Sequence, residues 1–140
     1  MYTLEEFDRE KTKVMKYIVF KKRTENEVRQ KFQNSIEENL LEDIIEYVKE
    51  AGYINDFEYI EKQVNEYKLL KTLSIKEIKY KLLSKGLSKD LIEDYIQANY
   101  DELQEYEDNC LKKIIDKKSG TMEEEKLKQY LFKKGYRGEF

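Results

Sequence analysis

Apolar residues recur along this chain at helical spacing. Between residues 37 and 50 they fall at Leu40, Leu41, Ile44, Ile45 and Val48, the stripe that buries one face of a helix against its neighbours. Leu91, Ile92, Tyr95 and Ile96 draw the same stripe further on. Carried along the whole chain, the pattern predicts helices over about 4–22, 25–33, 37–50, 57–73, 75–85, 89–100, 103–117 and 122–134, and it requires no strand. Proline is absent and only five glycines occur, so little interrupts these helices. Gly52, Gly86 and Gly135 each follow a predicted helix, where a left-handed residue closes the last turn.

The helices repeat. Thr24 to Phe32, TENEVRQKF, aligns with Ser74 to Leu82, SIKEIKYKL, at a separation of 50 residues (74 − 24). Leu127 to Gly135, LKQYLFKKG, aligns with Ile78 to Gly86, IKYKLLSKG, at a separation of 49 (127 − 78). Val14, Val64 and Ile114 keep the same spacing in the preceding helices. Thr24 with Glu27, Ser74 with Glu77 and Thr121 with Glu124 all fit the capping box, in which the hydroxyl and the glutamate each satisfy a backbone N–H at the helix start. The third box is displaced by about two residues from its apolar register, as a small insertion near Ser119 and Gly120 would cause. The expected fold is therefore all-α: tandem three-helix repeats in an elongated, curved array. The first repeat would span 1–55, the second 56–100, and the third 101–140 with only two of its helices.

Charge and chemistry narrow the function. The 140 residues are 41% charged, and 27 basic against 30 acidic side chains leave a formal charge of −3 and a pI near 5.3. Bulk positive charge is not available for binding nucleic acid, so such binding would need local patches. No histidine is present, which excludes His-assisted nucleophiles and His-bound metals. The single cysteine, Cys110, lies on an apolar stripe with Leu111 and Ile114 and reads as a small buried residue. The isolated glycines form no phosphate loop, and the acidic stretches lack the spacing of a calcium loop. The expectation is no catalytic residue, no metal and no cofactor. Residues 1–10 carry Glu5, Glu6 and Asp8 where a signal peptide would be basic and then apolar, and no apolar run reaches membrane-spanning length; a cytoplasmic protein is expected.

What remains is basic and aromatic. Lys21, Lys22 and Arg23 close the first helix, Lys68 and Lys71 lie near the end of the fourth, and Lys112, Lys113, Lys117 and Lys118 line the seventh. The second helices add Arg29 and Lys31, then Lys76, Lys79, Lys81 and Lys85, then Lys126, Lys128, Lys133, Lys134 and Arg137. Lysines near a helix C-terminus are also favoured by the macrodipole, but their recurrence in each copy points to a repeated basic edge for a partner. Of twelve tyrosines, Tyr47, Tyr53, Tyr59, Tyr67, Tyr80, Tyr95 and Tyr130 sit at or beside stripe positions and are expected mostly in the core.

The order of parts resembles the RecX family of bacterial recombinase regulators. A basic first helix leads into the capped second helix, and the junction Ala51-Gly52-Tyr53-Ile54-Asn55-Asp56-Phe57-Glu58-Tyr59-Ile60 is similar to the family's link between repeats. In the second copy Ile78, Leu82, Lys85, Gly86, Leu87 and Ile92 match in type, while Lys81 replaces a glutamate. The resemblance implies a regulator that lies in the groove of the RecA filament on single-stranded DNA and modulates, usually inhibits, recombination and DNA repair. Many members are basic whereas this chain is acidic, so contact with single- or double-stranded DNA is expected to be weak; no membrane partner and a monomeric state are also expected. The alternatives are a helical-repeat adaptor for another protein and a helical DNA-binding module.

Overall fold

A computed structural model of the protein describes residues 1–70 and 72–136, all of its regular structure helical. The helices are α1 (Leu4–Phe20), α2 (Glu25–Phe32), α3 (Glu38–Glu50), α4 (Asp56–Leu70), α5 (Ile75–Ser84), α6 (Lys89–Ala98), α7 (Tyr100–Lys118) and α8 (Glu124–Lys134). Lys71, Arg137 and the segment after Tyr136 lie outside the described residues. The chain divides into two compact units, Met1–Tyr59 with Lys85–Leu87, and Ile60–Ser84 with Ser88–Phe140.

In the first unit α1, α2 and α3 pack against one another. Val14 and Ile18 of α1, Val28 and Phe32 of α2, and the α3 stripe Leu40, Leu41, Ile44, Ile45 and Val48 make one core, joined by Ile36 and Ile54. Thr24 stands fully buried at the start of α2. Its hydroxyl accepts from the Glu27 N–H at 3.0 Å while the Glu27 carboxylate accepts from the Thr24 N–H at 3.1 Å, the expected capping box. At the other end of α3, Gly52 takes φ 82°, and the N–H groups of Tyr53 and Ile54 return to the Val48 carbonyl. Ile54 then drops into the core. Asn55 caps α4 by accepting from the Glu58 N–H at 3.1 Å. Asp56 reaches across to accept the Glu25 N–H at 3.0 Å, so one carboxylate holds the first turn of α2 against the start of α4. The Gly-Tyr-Ile-Asn-Asp run is thus a helix stop, a core anchor and two caps in succession.

In the second unit α5 contacts α6 and α7, and α7 carries α8. Ser74, also fully buried, repeats the box with Glu77 at 3.0 and 3.1 Å. Cys110 is buried as expected, in a cluster with Ile114, Leu127, Leu131 and Tyr136. The end of α8 closes onto the start of α5: the Ser74 hydroxyl donates to the Lys134 carbonyl at 2.5 Å, and the Tyr136 hydroxyl and Lys134 Nζ both donate to the Thr72 carbonyl at 2.7 and 2.8 Å. Gly135, at φ 100°, sits so close that a Cβ there would lie 2.8 Å from Cβ of Lys76. Gly86, at φ 84°, stands in the same relation to Asn26, two residues past its own N-cap as Lys76 is past Ser74.

The third capping box does not form. α8 begins at Glu124 after an N-cap at Glu123, and the Thr121 hydroxyl donates instead to the Lys118 carbonyl. The apolar register explains the change. Val28 and Ile78 are buried four residues after their caps, and the same interval counted back from buried Leu127 falls on Glu123, not Thr121. Part of the tyrosine expectation also fails. Tyr67 and Tyr95 are buried and Tyr59 and Tyr130 are half-buried, but Tyr47, Tyr53 and Tyr80 are exposed. Tyr80 lies about 200° around the helix from Ile78 on α5, opposite the buried face that Ile78 shares with Leu82.

Candidate partner-binding surface

The cationic side chains singled out above fall into two groups. Some are committed to holding the fold. In the first unit the Arg23 guanidinium lies 3.9 Å from the Tyr17 ring, donates to the Tyr17 carbonyl and pairs with Glu27 at 3.9 Å. Arg29 bridges α2 and α3 through Glu42 and also meets Glu25 at 3.4 Å. The Glu42 partner holds the guanidinium above its ordinary pKa, and reciprocally the Glu42 carboxyl lies below the usual carboxylate range. In the second unit Lys79 pairs with Glu93 of α6 at 2.8 Å, and that hydrogen bond depresses the Glu93 pKa. Lys134 is spent on Glu77, Thr72 and the ring of Tyr136. Lys128 pairs within α8 with Glu124 at 3.6 Å.

The others are available. Lys21 is exposed at the end of α1, and Lys22 is exposed with a 3.9 Å approach to Glu58. Lys31 lies 5.7 Å from the Tyr17 ring. Lys76, Lys85, Lys126 and Lys133 are exposed, Lys68 and Lys81 half so, and among the described residues none of these six makes an ion pair. On α5, Lys76, Lys79, Tyr80 and Leu83 follow one another at helical spacing on its outer side. This stripe combines cations with an exposed ring, a mixture suited to protein or nucleic-acid contact. The second unit also holds an open cavity of about 760 Å³ between the end of α4, α7 and Lys134, lined by Lys68, Leu69, Tyr106, Asn109, Cys110 and Lys113 among others.

The sequence missed the carboxylate that organises the first unit's junction. Asp56 is half-buried, and desolvation raises its pKa, reinforced by Glu25 and Glu27 and opposed by the Glu25 N–H and by Lys49. The Asn-Asp pair at a helix start was the available signal, since one residue caps its own helix and leaves the other free to cap a second. No group of three or more His, Cys, Asp or Glu residues able to hold a metal is found among the described residues, and none of their helices is long and apolar enough to cross a membrane.

These features define an all-helical repeat protein with recurrent capped helices. No family model matches the chain. It is 33% identical over 127 residues to the regulatory protein RecX of Staphylococcus carnosus, covering 87% of this chain and 47% of that one. It is 32% identical over 143 residues to the regulatory protein RecX of Clostridium beijerinckii, covering 96% of this chain and 66% of that one. The crystal structure of RecX from Lactobacillus salivarius superposes with a TM-score of 0.79 at 26% identity, over 96% of this chain and 91% of that one. The chain belongs to the RecX family of regulatory proteins. It spans about half the length of several of the relatives it matches, 47% of the Staphylococcus carnosus protein being one case.

Proposed function

We propose that this protein binds in the groove of the RecA filament on single-stranded DNA and inhibits RecA's ATPase and recombinase activity, acting in the cytoplasm as a monomer. The observation that carries this reading is its kinship with RecX proteins along most of its own length. The surface is compatible with it. Three tandem repeats, at 1–55, 56–100 and 101–140, would offer like cations at like places to a partner whose protomers also repeat. With a formal charge of −3 the chain has little long-range attraction for bare DNA, so contacts with protein would dominate and DNA contacts would be local and weak.

The mode of action is binding alone, with no catalytic residue, metal or cofactor taking part. A ligand with unequal affinity for assembled and free RecA shifts the population between them. The test is RecA's single-stranded-DNA-dependent ATP hydrolysis and strand exchange, titrated with the protein at two salt concentrations. Substoichiometric inhibition is the expected result. An unchanged rate with the cognate recombinase at stoichiometric excess would overturn the reading.

A further inference from the structure

Within the second unit, the ion pairs along α5 and α8 use Lys134 on Glu77, Lys79 on Glu93 and Lys128 on Glu124. Lys76 and Lys133 are exposed and make no ion pair among the described residues. The fold brings these two together. Gly135, two residues after Lys133, lies so near Lys76 that a Cβ on it would stand 2.8 Å from Cβ of Lys76. Phe132, next to Lys133, is 77% exposed and is the one exposed apolar side chain on α8. With Lys128, Gln129 and Lys133 it lines a shallow, open hollow of about 340 Å³. Glu125, the unmatched carboxylate of α8, lies about two turns back from Phe132.

An exposed ring by itself needs no explanation. A ring beside one unmatched lysine of its own helix and near another delivered by α5 selects its occupant. A second copy of this chain would bring lysines against lysines. A protein contact of consequence is built on contiguous apolar area, and the neighbours of Phe132 one turn back are Lys128 and Gln129. An unstacked base covers a lone aromatic face, and its flanking phosphates meet the cations. The bases of a duplex are already stacked on one another and leave no face free.

We propose that Phe132, with Lys133 and Lys76, is a stacking site for a base of single-stranded DNA, the lysines meeting the flanking phosphates. The proposal rests on the RecA-filament reading, whose local, weak DNA contact it places in the second unit. The experiment titrates a fluorescein-labelled oligothymidylate with the parent chain and its variants, at low salt and high protein concentration, and reads the anisotropy. Phe132→Leu keeps apolar bulk but loses the ring, and should weaken binding at least about fivefold, while Phe132→Tyr matches the parent. Lys76→Gln combined with Lys133→Gln should reduce the slope of log affinity against log salt by about 1.4. Each change is to an exposed side chain, so helicity and melting temperature should hold. Phe20→Leu is the control, since Phe20 is 83% exposed in the first unit but stands beside exposed Val19, in an apolar pair.

Phe132→Leu binding like the parent, an equal loss in Phe20→Leu, the same loss on a duplex, or a parent that does not bind the oligothymidylate overturns the site while leaving the RecA reading in place. An unchanged salt slope overturns the phosphate contacts. Phe132→Leu that loses co-sedimentation with RecA filaments while keeping its affinity for the oligothymidylate makes the ring a protein contact, and also overturns the site. A parent that binds the oligothymidylate through Phe132 but does not co-sediment with the cognate filament supports the site and overturns the RecA reading.

Discussion

Ser74 is fully buried and serves two elements at once, capping α5 through the Glu77 N–H and donating to the Lys134 carbonyl at the end of α8. Replacing it by alanine removes both bonds and leaves buried polar groups unpaired. Ser74→Ala should therefore cost about 1–3 kcal/mol in urea denaturation, and Thr24→Ala, which loses only the cap, about 1 kcal/mol. Thr121 has the same apparent motif but bonds only to Lys118 in the turn before α8; Thr121→Ala should stay within about 0.5 kcal/mol of the parent. A Thr121 variant as damaged as Thr24→Ala would restore the third capping box. Asp56 supplies a pH-dependent case. Its pKa is raised in the folded chain, chiefly by burial, so the native state binds a proton more readily than the unfolded state. Its charge thus opposes folding near neutral pH, and the penalty fades as pH falls through the raised value towards the ordinary aspartate range. Asp56→Asn keeps an oxygen for the Glu25 N–H, so it should be at least as stable as the parent at pH 7 and lose that advantage near pH 4. A variant clearly less stable than the parent at pH 7 would contradict this.

Between elements, Gly135 closes α8 over the first turn of α5 within the second unit. Gly86 and Gly135 have positive φ, and a Cβ would meet Asn26 and Lys76 respectively. Either glycine changed to alanine should cost at least about 1 kcal/mol, whereas Gly120, whose φ is not positive and which has open space around it, should accept alanine with little change. Thermal denaturation of the three variants distinguishes them. The helix order was legible in the apolar stripes because the helices are long enough to show their period, and the three left-handed glycines were legible as punctuation. The start of α8 was not. There a hydroxyl-x-x-glutamate motif competed with the apolar register, and burial of Leu127 and Leu131 decided the outcome. Nor could spacing separate Arg29 and Lys134, which knit elements together, from Lys85 and Lys133, which remain exposed, because only tertiary packing brings Glu42 to Arg29 and Thr72 to Lys134.

For the whole molecule, the division of cations into structural and available sets shapes how the surface should be probed. Lys79→Glu would set a carboxylate against Glu93 and so confound binding with stability. Lys85→Glu and Lys133→Glu disturb no ion pair among the described residues and should preserve helicity while weakening association with an acidic partner, more so at low salt. Unchanged affinity at both salt concentrations would remove these residues from the partner surface. The central claim is direct engagement of the RecA filament, and co-sedimentation with RecA assembled on single-stranded DNA tests it most directly. The account predicts that the chain pellets with the filament and stays in solution with the same DNA lacking RecA. A chain that remains in the supernatant with the cognate filament, or that pellets equally with DNA alone, would contradict it.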